Sequence, residues 1–110
     1  MFGLFKKKDS AKNKLDRDLI EVNSNSIDAL LVLASDAKMI DELKALKEEI
    51  KYIIPLVDDK AYSMDKKISG IIGDIKIELY KDKDDEKAAA KLDRLFKDLK
   101  VAVAERKAII

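Results

Sequence analysis

The chain has no cysteine, no histidine and no tryptophan, and its 110 residues include only three glycines and one proline. Threonine and glutamine are missing as well. Without cysteine there is no disulfide, no thiolate nucleophile and no thiolate metal site, a usage that fits a reducing compartment. Without histidine, neither the Glu-x-x-His pairs of di-iron bundles nor a Ser–His relay can be built. So few glycines and prolines leave too little turn chemistry for an all-β chain. No apolar run nears the roughly 20 residues that cross a bilayer. No signal peptide is visible, because the N-terminal charges follow the apolar residues instead of preceding them.

What is present is apolar (47%) and charged (41%) in nearly equal measure, with helical spacing throughout. That mixture belongs to amphipathic helices around one modest core, in a chain long enough for one domain and too short for two. The net charge of +1 gives no overall basic surplus of the kind nucleic-acid binding needs. Basic charge is instead concentrated at one end. Within Met1–Lys14, five lysines oppose only Asp9, which makes +4 there and leaves −3 for the rest.

The organising stretch is Ser26–Val57. Met39, Leu43, Leu46, Ile50, Ile53 and Val57 recur at steps of four and three, one seam on one side of a helix. Ile27–Ala34 is apolar nearly all round, as in a helix enclosed on several sides. The stripe drifts between these halves: either the helix bends near Ser35–Lys38, or it is one rod, reaching about Ile54, whose halves meet different neighbours. The second is the simpler reading. Before it, Ser10–Val22 makes a short helix with Leu15, Leu19 and Val22 on one face and Ile20 beside it. Asn23-Ser24-Asn25-Ser26 forms the turn between them, since such side chains compete with helical backbone bonds.

Pro55 allows two geometries: a tight hairpin loop at Pro55-Leu56-Val57 with Asp58 capping the next helix, or one long helix kinked at Pro55. The loop is favoured because folding back buries the seam within one chain. The third main segment, Asp58–Tyr80, then buries Ala61, Met64, Ile68, Ile71, Ile72, Ile75 and Leu79. A last helix, from Asp85 to about Ala108, buries Ala88, Leu92, Leu95, Leu99, Ala102 and Ile109, with Phe96 and Val103 alongside. Arg106 falls on the same side and is expected to snorkel to water. The expected fold is all-α: an antiparallel bundle of three long helices plus a short N-terminal helix. Residues 1–9 form a basic, aromatic tail and 10–110 a single domain.

Two surfaces stand out. Phe2, Leu4 and Phe5, followed by Lys6, Lys7 and Lys8, suit a membrane surface: apolar groups enter the headgroup boundary and lysines meet anionic lipid. Each lysine contributes on the order of 1 kcal/mol there, and the three apolar side chains roughly 4–6 kcal/mol before the cost of ordering the tail. Over Met1–Lys8 alone the opening resembles the amphipathic starts of several bacterial peripheral membrane proteins, the signal recognition particle receptor among them. The second surface is a stripe opposite the core of the third main segment, with Tyr62, Lys66, Gly70, Gly73, Ile77 and Tyr80. Two glycines in an exposed helix cost about 1 kcal/mol each relative to alanine, and they leave a flat groove for a partner helix or a second copy.

Catalytic patterns fail in turn. The serines occupy cap, turn or helix-surface positions, and no phosphate loop follows a glycine-rich run. Asp82, Asp84 and Glu86 imitate a calcium loop, but Lys87 stands where glycine is required and Asp93 at the twelfth position. No enzyme, cofactor or small-molecule substrate is expected. The expectation is a non-catalytic helical-bundle adaptor or scaffold, weakly attached to the cytoplasmic membrane surface through Phe2–Lys8. The alternative is a soluble, self-assembling coiled-coil protein that binds a partner helix through the Tyr62/Gly73/Tyr80 face.

Overall fold

The structure is a computed structural model that describes residues 2–81 and 85–109, with side chains from Lys14 onward. The described residues form four helices and no strand: α1 (Phe2–Leu33), α2 (Ala37–Lys51), α3 (Asp59–Leu79) and α4 (Glu86–Lys107). No helix among them is long and apolar enough to cross a membrane. Three of the four begin alike. Asp36, Asp58 and Asp85 each hold extended backbone angles and accept a backbone N–H two residues on, from Lys38, Lys60 and Lys87. Asp85 also accepts from Ala88 at 3.2 Å. An aspartate at this position satisfies an orphan donor of the first turn and places negative charge at the positive end of the helix.

The helices make a bundle. α1 packs on α2 and α3, and α4 packs closely on α3 and more sparsely on α2. α2 and α3, though consecutive, make no close backbone approach. The core joins Ile20, Ile27 and Leu30 of α1 to Leu43, Leu46 and Ile50 of α2. Ile53 follows, then Ile68, Ile72 and Ile75 of α3 and Leu95, Phe96, Leu99, Ala102 and Val103 of α4.

Two breaks in the chain differ from expectation, and each has a local cause. The expected turn at Asn23–Ser26 is helical, inside one 32-residue α1 that replaces the short N-terminal helix. Asn23 and Ser24 are buried there, and Asn23 Nδ2 donates to the Asp65 backbone oxygen at 2.9 Å. A tertiary partner thus takes up the hydrogen bonding that would otherwise favour a turn. Conversely, the expected rod through Ser26–Ile54 is broken at residues 34–36, where Asp36 caps α2. The drifting stripe reflected two helices.

At Pro55 the helix is broken and not kinked, and Asp58 caps α3 as expected, but α2 already ends at Lys51 and residues 52–58 form a longer connection than the tight hairpin expected. The loop does not lay α3 along α2, however, because α3 packs on α1 and α4. Val57, expected in the seam, is exposed. On α1 the expected face is likewise turned outward: Leu15 and Val22 are exposed and Ile20 is buried. The buried stripe of α1 is Asp16, Ile20, Asn23, Ile27 and Leu30. Its steps of four and three match those of α2, but two of its five members are polar.

Candidate functional site

Those polar members belong to a closed network at one end of the bundle. Asp16 and Asn23 come from α1, Asp65 from α3, and Arg106 from the last turn of α4, with the loop between α2 and α3 laid over them. Each occupies a seam position. On α3, Asp65 falls in step with Ala61, Ile68, Ile72 and Ile75; on α4, Arg106 follows Leu95, Leu99 and Ala102. Helical periodicity therefore drives ionisable groups into the interior along with their apolar neighbours.

Arg106 does not snorkel. It is 1% exposed. Its Nε donates to Asp65 Oδ1 and Oδ2 at 3.1 and 3.0 Å, and its Nη2 donates to Asp16 Oδ2 at 3.0 Å and to the Ile54 carbonyl at 2.8 Å. Asp16 Oδ2 also accepts the Leu56 backbone N–H at 2.8 Å. A rigid planar fork of donors engages two carboxylates and a carbonyl from separate nitrogens, a geometry the single nitrogen of a lysine does not offer. Burying a charge is costly unless it is paired and hydrogen-bonded, and here the pairing supplies both.

The cluster holds two carboxylates against one guanidinium. With both ionised it would carry a net −1 in the interior. Burial pushes the Asp65 carboxyl up to about 7, helped by a hydrogen bond with the Asp16 carboxyl and opposed by Arg106. A proton held by Asp65 next to Asp16 brings the cluster to neutrality. Asp16 Oδ1 and Asn23 Oδ1 are buried and accept no hydrogen bond. With Asp16, Asp65 and Arg106 at 1% exposure or less, the cluster offers no open face to a substrate. Its chemistry is to hold a proton and to clamp three helices and a loop.

The other end of the bundle carries a contrasting acid. Glu78 of α3 is 4% exposed, and its Oε1 meets Lys81 Nζ at 3.1 Å and Lys91 Nζ at 3.3 Å. The hydrogen bond from Lys81 lowers its pKa, with Lys91 assisting and burial opposing. Glu78 lines a cleft of about 240 Å³ with Leu33, Asp36, Met39, Asp85, Ala88 and Leu92. Both lysine heads stay about half in solvent.

Of the residues singled out from the sequence, Phe2, Leu4, Phe5, Lys6, Lys7 and Lys8 lie in the backbone of α1, and their side chains are outside the described residues. Tyr62, Gly70, Gly73 and Ile77 lie on α3 and Tyr80 is its C-cap, at steps that share one face. Tyr62 is half-buried, with Lys66 Nζ 5.2 Å from its ring centre, while Ile77 and Tyr80 are exposed. Gly70 and Gly73 are exposed, and a Cβ added at either would meet nothing within 4 Å. Compared with protein-family models, curated proteins and solved structures, the chain matches none.

Proposed function

We propose that this protein is a non-catalytic helical-bundle adaptor held weakly at the cytoplasmic face of a membrane by Phe2, Leu4, Phe5 and Lys6–Lys8. One observation carries the reading. α1 is a single helix from Phe2, and the same helix carries the buried Asp16, Ile20, Ile27 and Leu30. The Phe2–Lys8 segment is therefore continuous, in one helix, with residues of the core. A helix continuous with the bundle transmits attachment rigidly, unlike a flexible tail. The antiparallel sense expected for the bundle is supported by ion pairs across two connections: Asp28 to Lys47 at 2.6 Å, and Glu78 to Lys91. Co-sedimentation with phosphatidylserine vesicles tests the attachment. The full chain is expected to pellet with them and a chain lacking residues 2–8 to stay in solution; equal pelleting of both would refute it.

A second reading, self-assembly through the Tyr62/Gly73/Tyr80 face, is favoured by one specific fact. Gly70 and Gly73 answer no steric demand inside the monomer, so their helix-weakening cost is unexplained by the fold itself. Light scattering at high concentration tests it, and a strictly monomeric mass would remove it.

A further inference from the structure

The loop over the Arg106 cluster displays apolar side chains outward. Tyr52 is 71% exposed, Ile54 73% and Val57 41%. The same few residues are held firmly from inside: Arg106 binds the Ile54 carbonyl, Asp16 binds the Leu56 N–H, and Ile53 is buried in the core. Alternate sides of this non-helical segment thus anchor and protrude. A loop fixed by a buried guanidinium loses little conformational freedom when its outer side chains are captured, so burial of those groups appears almost fully as affinity.

The loop's place in the fold indicates what captures it. Asp16 of α1 touches this loop, and the +4 stretch lies on the same helix, N-terminal to Asp16. Leu15, one residue earlier, is exposed as well. Arg17 and Lys51 line one cleft with Pro55, and Lys60 follows the loop. Acids are present too: Glu21 lines the same cleft together with Lys47, the Asp58 carboxylate is engaged in capping α3, and Asp59 opens that helix. Tyrosine with branched aliphatics beside cationic residues matches the boundary between headgroups and acyl chains.

We infer that Tyr52, Ile54 and Val57 form a second contact with an anionic bilayer, beside the N-terminal helix and at the same end of the bundle. This rests on the membrane reading above and adds to it: attachment has two points, one basic and one apolar, and the bundle stands on the bilayer by its Arg106 end. Two signals convert marginal attachment into stable attachment.

Because the chain has no tryptophan, Ile54→Trp places a single reporter in the loop. With vesicles containing phosphatidylserine its emission is expected to shift to the blue and to be quenched by bromolipid. The combined variant Tyr52→Ser, Ile54→Ser and Val57→Ser is expected to bind those vesicles about tenfold or more weakly, with unchanged circular dichroism. If the protein pellets with vesicles while the Ile54→Trp emission stays put, the loop contact is refuted and the N-terminal tether stands. If emission still shifts when Lys6, Lys7 and Lys8 are all changed to Glu and pelleting is undiminished, the loop contact stands and the tether falls. Failure of the unaltered chain to bind anionic vesicles overturns both.

Discussion

α3 carries a buried acid near each of its ends, and the two are handled in opposite ways. Asp65 is enclosed with Arg106 and Asp16, all at 1% exposure or less, and its carboxyl is pushed up to about 7. Glu78 is nearly as enclosed, but it is met by two lysines whose heads remain in water, and its pKa is lowered. The difference lies in the cations. A flexible lysine reaches a buried carboxylate from outside and keeps its own hydration, so the acid stays ionised at modest cost. A guanidinium drawn fully inside brings geometry and rigidity, but it is shared between two acids, and burial raises the affinity of Asp65 for a proton. One end of the bundle is therefore a clamp and the other a screened surface pair.

The largest expected effect breaks the clamp. Arg106→Ala strands Asp16, Asp65 and the Ile54 carbonyl without their donor, and should lower the unfolding free energy by about 3–5 kcal/mol in urea titrations. Lys91→Ala, at the other end, should cost less than about 1 kcal/mol. Near-equal losses would erase the distinction drawn here.

The second test uses pH. Between about 4 and 7 the folded chain holds a proton on Asp65 that the unfolded chain, with its ordinary value of 3.8, releases. That contribution to stability is full below about pH 4 and is lost as pH rises through about 7. Asp65→Asn keeps the neutral form at every pH. The difference in melting temperature between wild type and this variant should therefore grow in the variant's favour up to about pH 7 and then level off. Glu78 has the opposite sign: its contribution is present above its ordinary value of 4.5 and fades as pH falls through the lowered one. Glu78→Gln should blunt the loss of stability in acid and leave the neutral range nearly flat.

Between these two acids in sequence, on exposed α3 positions, lie Gly70 and Gly73. Gly70→Ala and Gly73→Ala should each stabilise by about 1 kcal/mol, since the added methyl meets open space. If the same pair of changes also lowers the associated mass in light scattering, the α3 face is a contact between copies. The smallest effect is that of salt. Molar salt should abolish what little Lys91→Ala costs and leave the Arg106→Ala loss largely intact, because screening acts on exposed charges far more than on enclosed ones.

Much of the architecture was legible in the residues. The all-α class, most core positions of α2 to α4, the Asp58 cap and the start of the last helix at Asp85 follow from spacing and capping chemistry alone. The turn at Asn23–Ser26 misled because a polar run reads as solvent-facing. Asn23 instead lies on the same helical stripe as Ile20, Ile27 and Leu30, and its amide meets the Asp65 carbonyl. The break at residues 34–36 was signalled by Ser35-Asp36, an N-cap pair hidden behind an apolar run on either side. Arg106 was placed on the correct face and given the wrong fate. The overlooked signal was three charged residues, Asp16, Asp65 and Arg106, each in step with an apolar seam on a different helix. Charges that share a seam position on separate helices have one another as the obvious partners.

By itself, then, the sequence determined that this chain is helical, where α3 and α4 start, and which stripes of α2 to α4 seek the core, because those properties arise from neighbours within one or two turns. It also determined that basic charge gathers at the N-terminal end. Tertiary structure alone decided that α3 packs on α1 and not on α2, and that Arg106 is buried with two acids from helices 41 and 90 residues away. The same assembly sets the outward display of Tyr52, Ile54 and Val57. Whether a charge lies in water or in the interior depends on what the other helices bring to it, and that is known only once they are assembled.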